Sequence, residues 1–152
     1  MMKIKILGIG ILAMALVTSA SAQDLTTKSD YADGQLVAMS GTERDYYIQK
    51  DENFSSENGL KTGKLISFHA NGALEETGML IKDKRFGTWK KYSDSGKLLT
   101  EAHFVDGKKD GVWKVWDENG TLRLQFSYDQ GKRVGSWLMY DAEGKLISEK
   151  EY

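Results

Sequence analysis

Gly87-Thr88-Trp89-Lys90-Lys91-Tyr92-Ser93-Asp94-Ser95-Gly96-Lys97-Leu98 returns 24 residues later as Gly111-Val112-Trp113-Lys114-Val115-Trp116-Asp117-Glu118-Asn119-Gly120-Thr121-Leu122. A third copy runs through Gly135, Trp137, Tyr140, Gly144 and Leu146. A looser one comes first, at Gly63, Leu65, Phe68, Gly72 and Leu74. A fixed period of this length marks a stack of like units, each burying against its neighbours a surface it could not bury alone.

Each unit reads as strand, turn, longer strand, turn. In the best-written unit, Val112 to Trp116 is the first strand and Asp117-Glu118-Asn119-Gly120 the turn, with Asn-Gly a strong hairpin signal. Thr121 to Asp129 is the second strand. Leu122, Leu124, Phe126 and Tyr128 alternate with Thr121, Arg123, Gln125 and Ser127, as a half-buried strand requires. Gln130-Gly131-Lys132-Arg133 turns the chain back. Turn signals this frequent leave no room for helices. The expected fold is all-β: one elongated, meandering antiparallel sheet of stacked β-hairpin repeats. Gly72, Gly96, Gly120 and Gly144 close the turns, where a positive φ favours glycine. Gly63, Gly87, Gly111 and Gly135 open the first strands, where a bulge or a close neighbour would favour it.

The remaining chain divides by composition. Lys3 and Lys5 precede an uncharged apolar run, Ile6 to Val17, and then Ala20-Ser21-Ala22. That pattern is a secretory signal peptide over residues 1–22, cleaved before Gln23; the run is short for a spanning helix. Export implies a periplasmic or extracellular location and no transmembrane segment after cleavage. Residues 23–58 form an N-terminal capping segment, expected to cover the first hairpin, with Gln35–Met39 and Asp45–Gln49 as short strands and Asp51–Asn58 as a polar loop. Residues 59–152 form the repeats. Without Lys3 and Lys5, 19 basic residues face 22 acidic ones, a net charge near −3 that gives no bias toward nucleic acid. The chain has no cysteine, so thiolate zinc sites and disulfides are excluded.

Two repeated features are candidate binding surfaces. Alternate turns fall on opposite sheet edges, so one edge gathers Lys84, Arg85, Lys108, Lys109, Lys132 and Arg133, and the other Asp94, Asp117, Glu118, Asp141 and Glu143. The basic pairs would repeat at roughly 10 Å, two strands apart. Such an edge either meets an anionic surface or simply keeps the turns solvated. The second feature is aromatic. Trp89, Trp113 and Trp137 share one repeat position, and Phe68, Tyr92, Trp116 and Tyr140 lie three residues further on, at opposite strand parity. A two- or four-residue loop places Trp116 on the polar face with Arg123 and Gln125. A three-residue loop with a bulge places it beside Leu122. Register therefore decides whether Phe68, Tyr92, Trp116 and Tyr140 are an exposed binding stripe or core. His69 and His103 occupy unrelated repeat positions, and no acid–base pair, phosphate loop or metal cluster stands out. No catalytic residue, metal site or cofactor is expected.

Gly87, Trp89, Tyr92, Gly96, Leu98, Glu101, Asp106, Gly107 and Lys108 resemble the MORN-type repeat family position by position, with Phe104 in place of its second Tyr. The likeness is closest to the bacterial variant often labelled YwqK-like antitoxin. The next unit departs at Gln125, and the first departs at Leu65, Thr77 and Leu80. The resemblance implies the same hairpin meander and a role in protein scaffolding or membrane-surface contact. The expected function is a non-catalytic interaction module in the cell envelope, with another protein as partner. The alternatives are a binder of anionic lipid or polymer through the basic edge, and an antitoxin or immunity-type partner of a toxin.

Overall fold

The computed structural model describes residues 36–38, 46–50 and 52–152; the expected leader, residues 1–22, lies outside them. The strands are β1 (Leu36–Ala38), β2 (Tyr46–Gln49), β3 (Ser55–Glu57), β4 (Leu60–Phe68), β5 (Leu74–Ile81), β6 (Lys84–Tyr92), β7 (Leu98–Val105), β8 (Lys108–Lys109), β9 (Gly111–Trp116), β10 (Leu122–Asp129), β11 (Lys132–Tyr140) and β12 (Leu146–Glu151). They form an open antiparallel sheet in the order β1-β2-β4-β5-β6-β7-β9-β10-β11-β12, with β3 on β4 and β8 on β7. The described residues contain no helix. The expected fold class is the one observed.

The two sheet edges use different turns. On one edge the turns are only two residues long: Lys82-Asp83, Asp106-Gly107 and Gln130-Gly131. All six residues have positive φ, the type I′ geometry whose twist suits flanking strands. These turns are shorter than the four-residue turn expected at Gln130-Gly131-Lys132-Arg133. The ladder instead runs out to Ile81↔Lys84, Val105↔Lys108 and Asp129↔Lys132, which places the basic pairs in strands. On the other edge the loops are three residues long and end in glycine. In Glu118-Asn119-Gly120, Gly120 N–H donates to Asp117 O at 2.9 Å and Asp117 N–H to Thr121 O at 3.0 Å. Asp117 Oδ1 also accepts from the N–H groups of Asn119 and Thr121. The Asp141 loop repeats the pattern.

This loop settles the register. Trp116 pairs with Leu122, as the three-residue loop requires, and the register then shifts between Leu122 and Leu124, with Arg123 as the extra residue. Beyond the shift, Leu124 pairs with Val115 and Phe126 with Trp113. The same shift follows Phe68↔Leu74, Tyr92↔Leu98 and Tyr140↔Leu146. Each repeat carries a second irregularity in its first strand. Gly87, Gly111 and Gly135 have φ between 63° and 69°. At Gly87, Gly78 lies opposite three residues because Thr77 pairs with Lys90 while Met79 pairs with Phe86.

Residues 52–58 are not simply a loop. Asn58-Gly59, with φ of 50° and 80°, turns β3 back onto β4. The strand is polar because all three of its residues are exposed, which is why polarity alone reads as loop. β2 pairs with β4 and brings Ile48, fully buried, against Leu65. The core then continues through Leu80, Trp89, Ala102 and Phe104, with Tyr46, Phe54 and Trp113 packed on its margin. No residue after Phe104 is fully buried.

Neighbouring repeats are also joined at the tight turns. Gly107 N–H donates to Arg85 O at 2.9 Å, and Gly131 N–H to Lys109 O at 2.7 Å. Asp83 N–H makes the corresponding bond to Lys61 O at 2.8 Å.

Candidate functional site

Strand alternation sorts the side chains onto two faces. One face carries three cross-strand rows. The first runs Ser67, Glu76, Lys91, Thr100, Val115, Leu124, Met139, Ser148. The second runs Leu65, Gly78, Trp89, Ala102, Trp113, Phe126, Trp137, Lys150. In the third, Leu80 pairs with Arg85, Phe104 with Lys109 and Tyr128 with Arg133.

The tryptophans and the row-three rings form a continuous aromatic ladder. Ring centroids step from Trp89 to Phe104 at 6.1 Å, to Trp113 at 5.1 Å, to Phe126 at 6.0 Å, to Trp137 at 4.7 Å and to Tyr152 at 4.9 Å. Tyr128 bridges Trp113 and Trp137. Trp113, Phe126 and Trp137 lie within about 32° of parallel from one to the next, at 31° and 32°. The rings therefore stand beside one another along the sheet. A cation caps each unit. Arg85 lies 4.2 Å over Trp89, Lys109 4.7 Å over Trp113 and Arg133 4.7 Å over Trp137. Each such contact is worth on the order of 0.5–2 kcal/mol, depending on solvent exposure.

The ladder is closed at one end and open at the other. Trp89 is 2% exposed because it lies directly on Gly78, where a Cβ would fall 2.2 Å from the indole. The next two units put Ala102 and then Phe126 at that position, and Trp113 and Trp137 are only half-buried. The Trp113 and Trp137 indole N–H groups donate to His103 O and Ser127 O, whereas that of Trp89 is buried without a partner. Beyond Trp113 a cleft of about 320 Å³ opens, lined chiefly by Leu124, Phe126, Trp137, Met139, Lys150 and Tyr152.

The charges change along the same line. Arg85 pairs with Glu76 at 3.2 Å, and Glu76 also accepts from the Tyr46 hydroxyl. Lys91 pairs with Glu75 at 3.7 Å. One repeat on, Glu76 becomes Thr100, then Leu124, then Ser148. Past Lys91, the rows of this face contain no carboxylate among the described residues, yet they hold Lys109, Arg133 and Lys150. Two of these cations act on Tyr152: its phenol is held below its ordinary pKa, first by the hydrogen bond from Lys150, whose charge adds to it against a push upward from burial, and then by Arg133. On the opposite face, charges alternate across the strands as Lys90, Glu101 and Lys114.

Two groups of residues singled out in the sequence are distributed differently. Phe68, Tyr92, Trp116 and Tyr140 lie on the opposite face, each beside its Leu partner and each half-buried. Tyr47 packs on Phe68 at 6.0 Å. The basic pairs split. Arg85, Lys109 and Arg133 fold onto the aromatic face, while Lys84 stays at the edge and pairs with Asp106 at 2.7 Å. The equivalent partner for Lys108 is Gln130, which bonds to Asp110 instead. Phe126, Tyr128, Lys150 and Tyr152 were not recognised as site residues in the sequence. The signal that finds them is the drift of Gly78 to Ala102 to Phe126, and of Glu76 to Thr100 to Leu124, when the units are aligned.

Among the described residues no cluster of His, Asp or Glu could hold a metal ion. No helix there is long and apolar enough to cross a membrane. The surface offers apolar rings with cations lying over them.

No curated protein matches the chain. The family model described as MORN repeat variant matches residues 87–106, 109–130 and 133–152. Its first match begins at Gly87, so the unit from Gly63, with Leu65 in place of Trp, shares the hairpin but not the match. Repeats of this type generally serve as modules for contact with proteins or membranes. The three matched stretches are thus each similar to the MORN repeat variant, and the rings of the last two form the open end of the aromatic ladder.

Proposed function

We propose that the protein is an exported, non-catalytic interaction module that holds a partner protein in the cell envelope on the aromatic face of its last two repeats. The observation that carries this reading is the uncovered part of the ladder. Trp113, Phe126, Trp137 and Tyr152 continue a ladder that is buried at Trp89, and the last three of them line a mainly apolar cleft. Large half-buried aromatics beside a cleft are where interface energy concentrates. Export rests on Lys3, Lys5, the apolar run Ile6 to Val17 and Ala20-Ser21-Ala22.

The tight-turn edge supports a membrane contact less well. Asp83 and Asp106 sit in its turns, Asp129 stands beside Lys132, and Lys84 is paired. The test is capture from an envelope extract with three baits: the mature chain, a Phe126→Ala/Trp137→Ala variant, and a Lys84→Gln/Lys108→Gln/Lys132→Gln variant. One protein recovered in equal amount by the first and third baits, and lost from the second, supports the reading. Loss with the third bait alone moves the site to the edge. N-terminal sequencing of the secreted chain should begin at Gln23.

A further inference from the structure

We infer that the open end of the aromatic face recognises carboxylates of a partner polypeptide, with Lys109 and Arg133 each receiving from outside the anion that Arg85 receives from Glu76. The inference rests on the partner-binding reading above and gives that partner its chemistry.

The first unit shows what the motif looks like when satisfied. Arg85 lies over Trp89 and within 5.3 Å of Phe104, and Glu76 contacts its guanidinium from the first row. The ring faces hold the cation in place and the carboxylate neutralises it. The next two units repeat the rings and the cation. Lys109 lies over Trp113 and Tyr128, and Arg133 over Trp137 and Tyr152. They omit the acid: Thr100 and Leu124 stand where Glu76 stood. Neither Lys109 nor Arg133 has an ion-pair partner among the described residues, and Lys150, over Tyr152, adds a third cation.

Charge complementarity therefore selects an anionic occupant, and the cleft of Leu124, Phe126, Trp137 and Met139 selects one with apolar groups between its charges. Lys109 and Arg133 are one repeat apart, roughly 10 Å across two strands. A polyproline II segment advances about 9 Å in three residues. Acidic residues three apart, with an apolar residue between them, match both the spacing and the cleft.

The test uses the mature full-length chain and a fluorescent peptide of repeated Glu-Leu-Pro, with repeated Gln-Leu-Pro as its neutral control. The acidic peptide should bind at least tenfold more tightly than the control near 0.01 M salt. It should lose that advantage near 1 M, where the Debye length falls from about 30 Å to about 3 Å. Lys109→Gln/Arg133→Gln/Lys150→Gln should weaken it tenfold or more, and Lys84→Gln/Lys108→Gln/Lys132→Gln should leave it within twofold. The decisive variant is Thr100→Glu/Leu124→Glu, which restores the internal acid of the first unit. It should fold with the same circular dichroism and no longer bind the acidic peptide. Equal affinity for the two peptides, or full binding by the Thr100→Glu/Leu124→Glu variant, overturns the inference. So does binding of phosphatidylserine vesicles with no peptide binding. If the peptides fail while Phe126→Ala/Trp137→Ala still loses the captured protein, the interaction module stands and only its preference for carboxylates falls.

Discussion

The units around Trp89 and Trp137 carry one pattern in two forms, one closed and one open. At Trp89 a glycine beneath the ring, a buried Ile48–Leu65 flank and the Glu76–Arg85 pair close the face into a core. At Trp137 a phenylalanine lies beneath the ring, an exposed Met139 beside it and no acid beside Arg133. The backbone hardly differs: the loops, the two register irregularities and the tight turns recur. What differs is the volume at one repeat position and the charge at another. A repeat fold can thus hold a closed half and an open half on one continuous face, since stability in such stacks is local to each interface.

The sharpest way to break this contrast is Trp89→Ala. A ring so fully buried costs about 3–5 kcal/mol when removed, read as a lowered urea midpoint. Gly78→Ala attacks the same contact from below, because the new Cβ would meet the indole at 2.2 Å. Forced overpacking of this kind costs on the order of 1–3 kcal/mol. Trp137→Ala should cost only about 1–2 kcal/mol, as a half-buried ring surrenders less area, yet abolish partner capture. If the two tryptophans prove equally destabilising, the division into closed and open halves fails. Smaller still is the Lys84–Asp106 pair, whose side chains are 56% and 67% exposed. A double-mutant cycle should return less than about 1 kcal/mol, and less at high salt.

The smallest effect is pH-dependent. Burial pushes the Asp117 carboxyl up, but it is lowered overall by the hydrogen bonds of Thr121, Arg123 and Asn119 and by the Arg123 charge. Because its folded pKa lies below the unfolded one, its contribution is complete above the ordinary carboxylate range and is lost as pH falls through the lowered value. Asp117→Asn should remove that increment of acid sensitivity from the urea midpoint. At Tyr152 the phenol should ionise earlier than an ordinary tyrosine, and Lys150→Gln should move it back upward in an ultraviolet titration.

The repeat period, the turn glycines and the alternation of Thr121 to Asp129 made the sheet legible before any coordinates, because each is a local demand of backbone geometry. Register was harder. Trp116 faces Leu122 and Trp113 faces Phe126 only because Arg123 is an extra residue, and nothing in its side chain announces a bulge. β3 was hidden because a strand exposed on both sides has no apolar alternation to show. The candidate surfaces hung on the same register. Parity alone left Phe68, Tyr92, Trp116 and Tyr140 as either stripe or core, and turn position put Lys84, Arg85, Lys108, Lys109, Lys132 and Arg133 on one edge. Two-residue turns move Arg85, Lys109 and Arg133 one step into the strands and onto the tryptophan face. The informative signal was not which residues repeat but which positions drift, Gly78 to Phe126 and Glu76 to Leu124.

The bonds from Gly107 to Arg85 and from Gly131 to Lys109 have a use beyond holding the stack together. Each lies at an exposed turn, where an amide would ordinarily exchange with water at once, and each is protected by one neighbouring unit alone. Their exchange rates count openings interface by interface. A bound partner that clamps the last two units should slow Gly131 and leave Gly107 nearly unchanged, so a single pair of glycine signals would locate the occupant along the sheet.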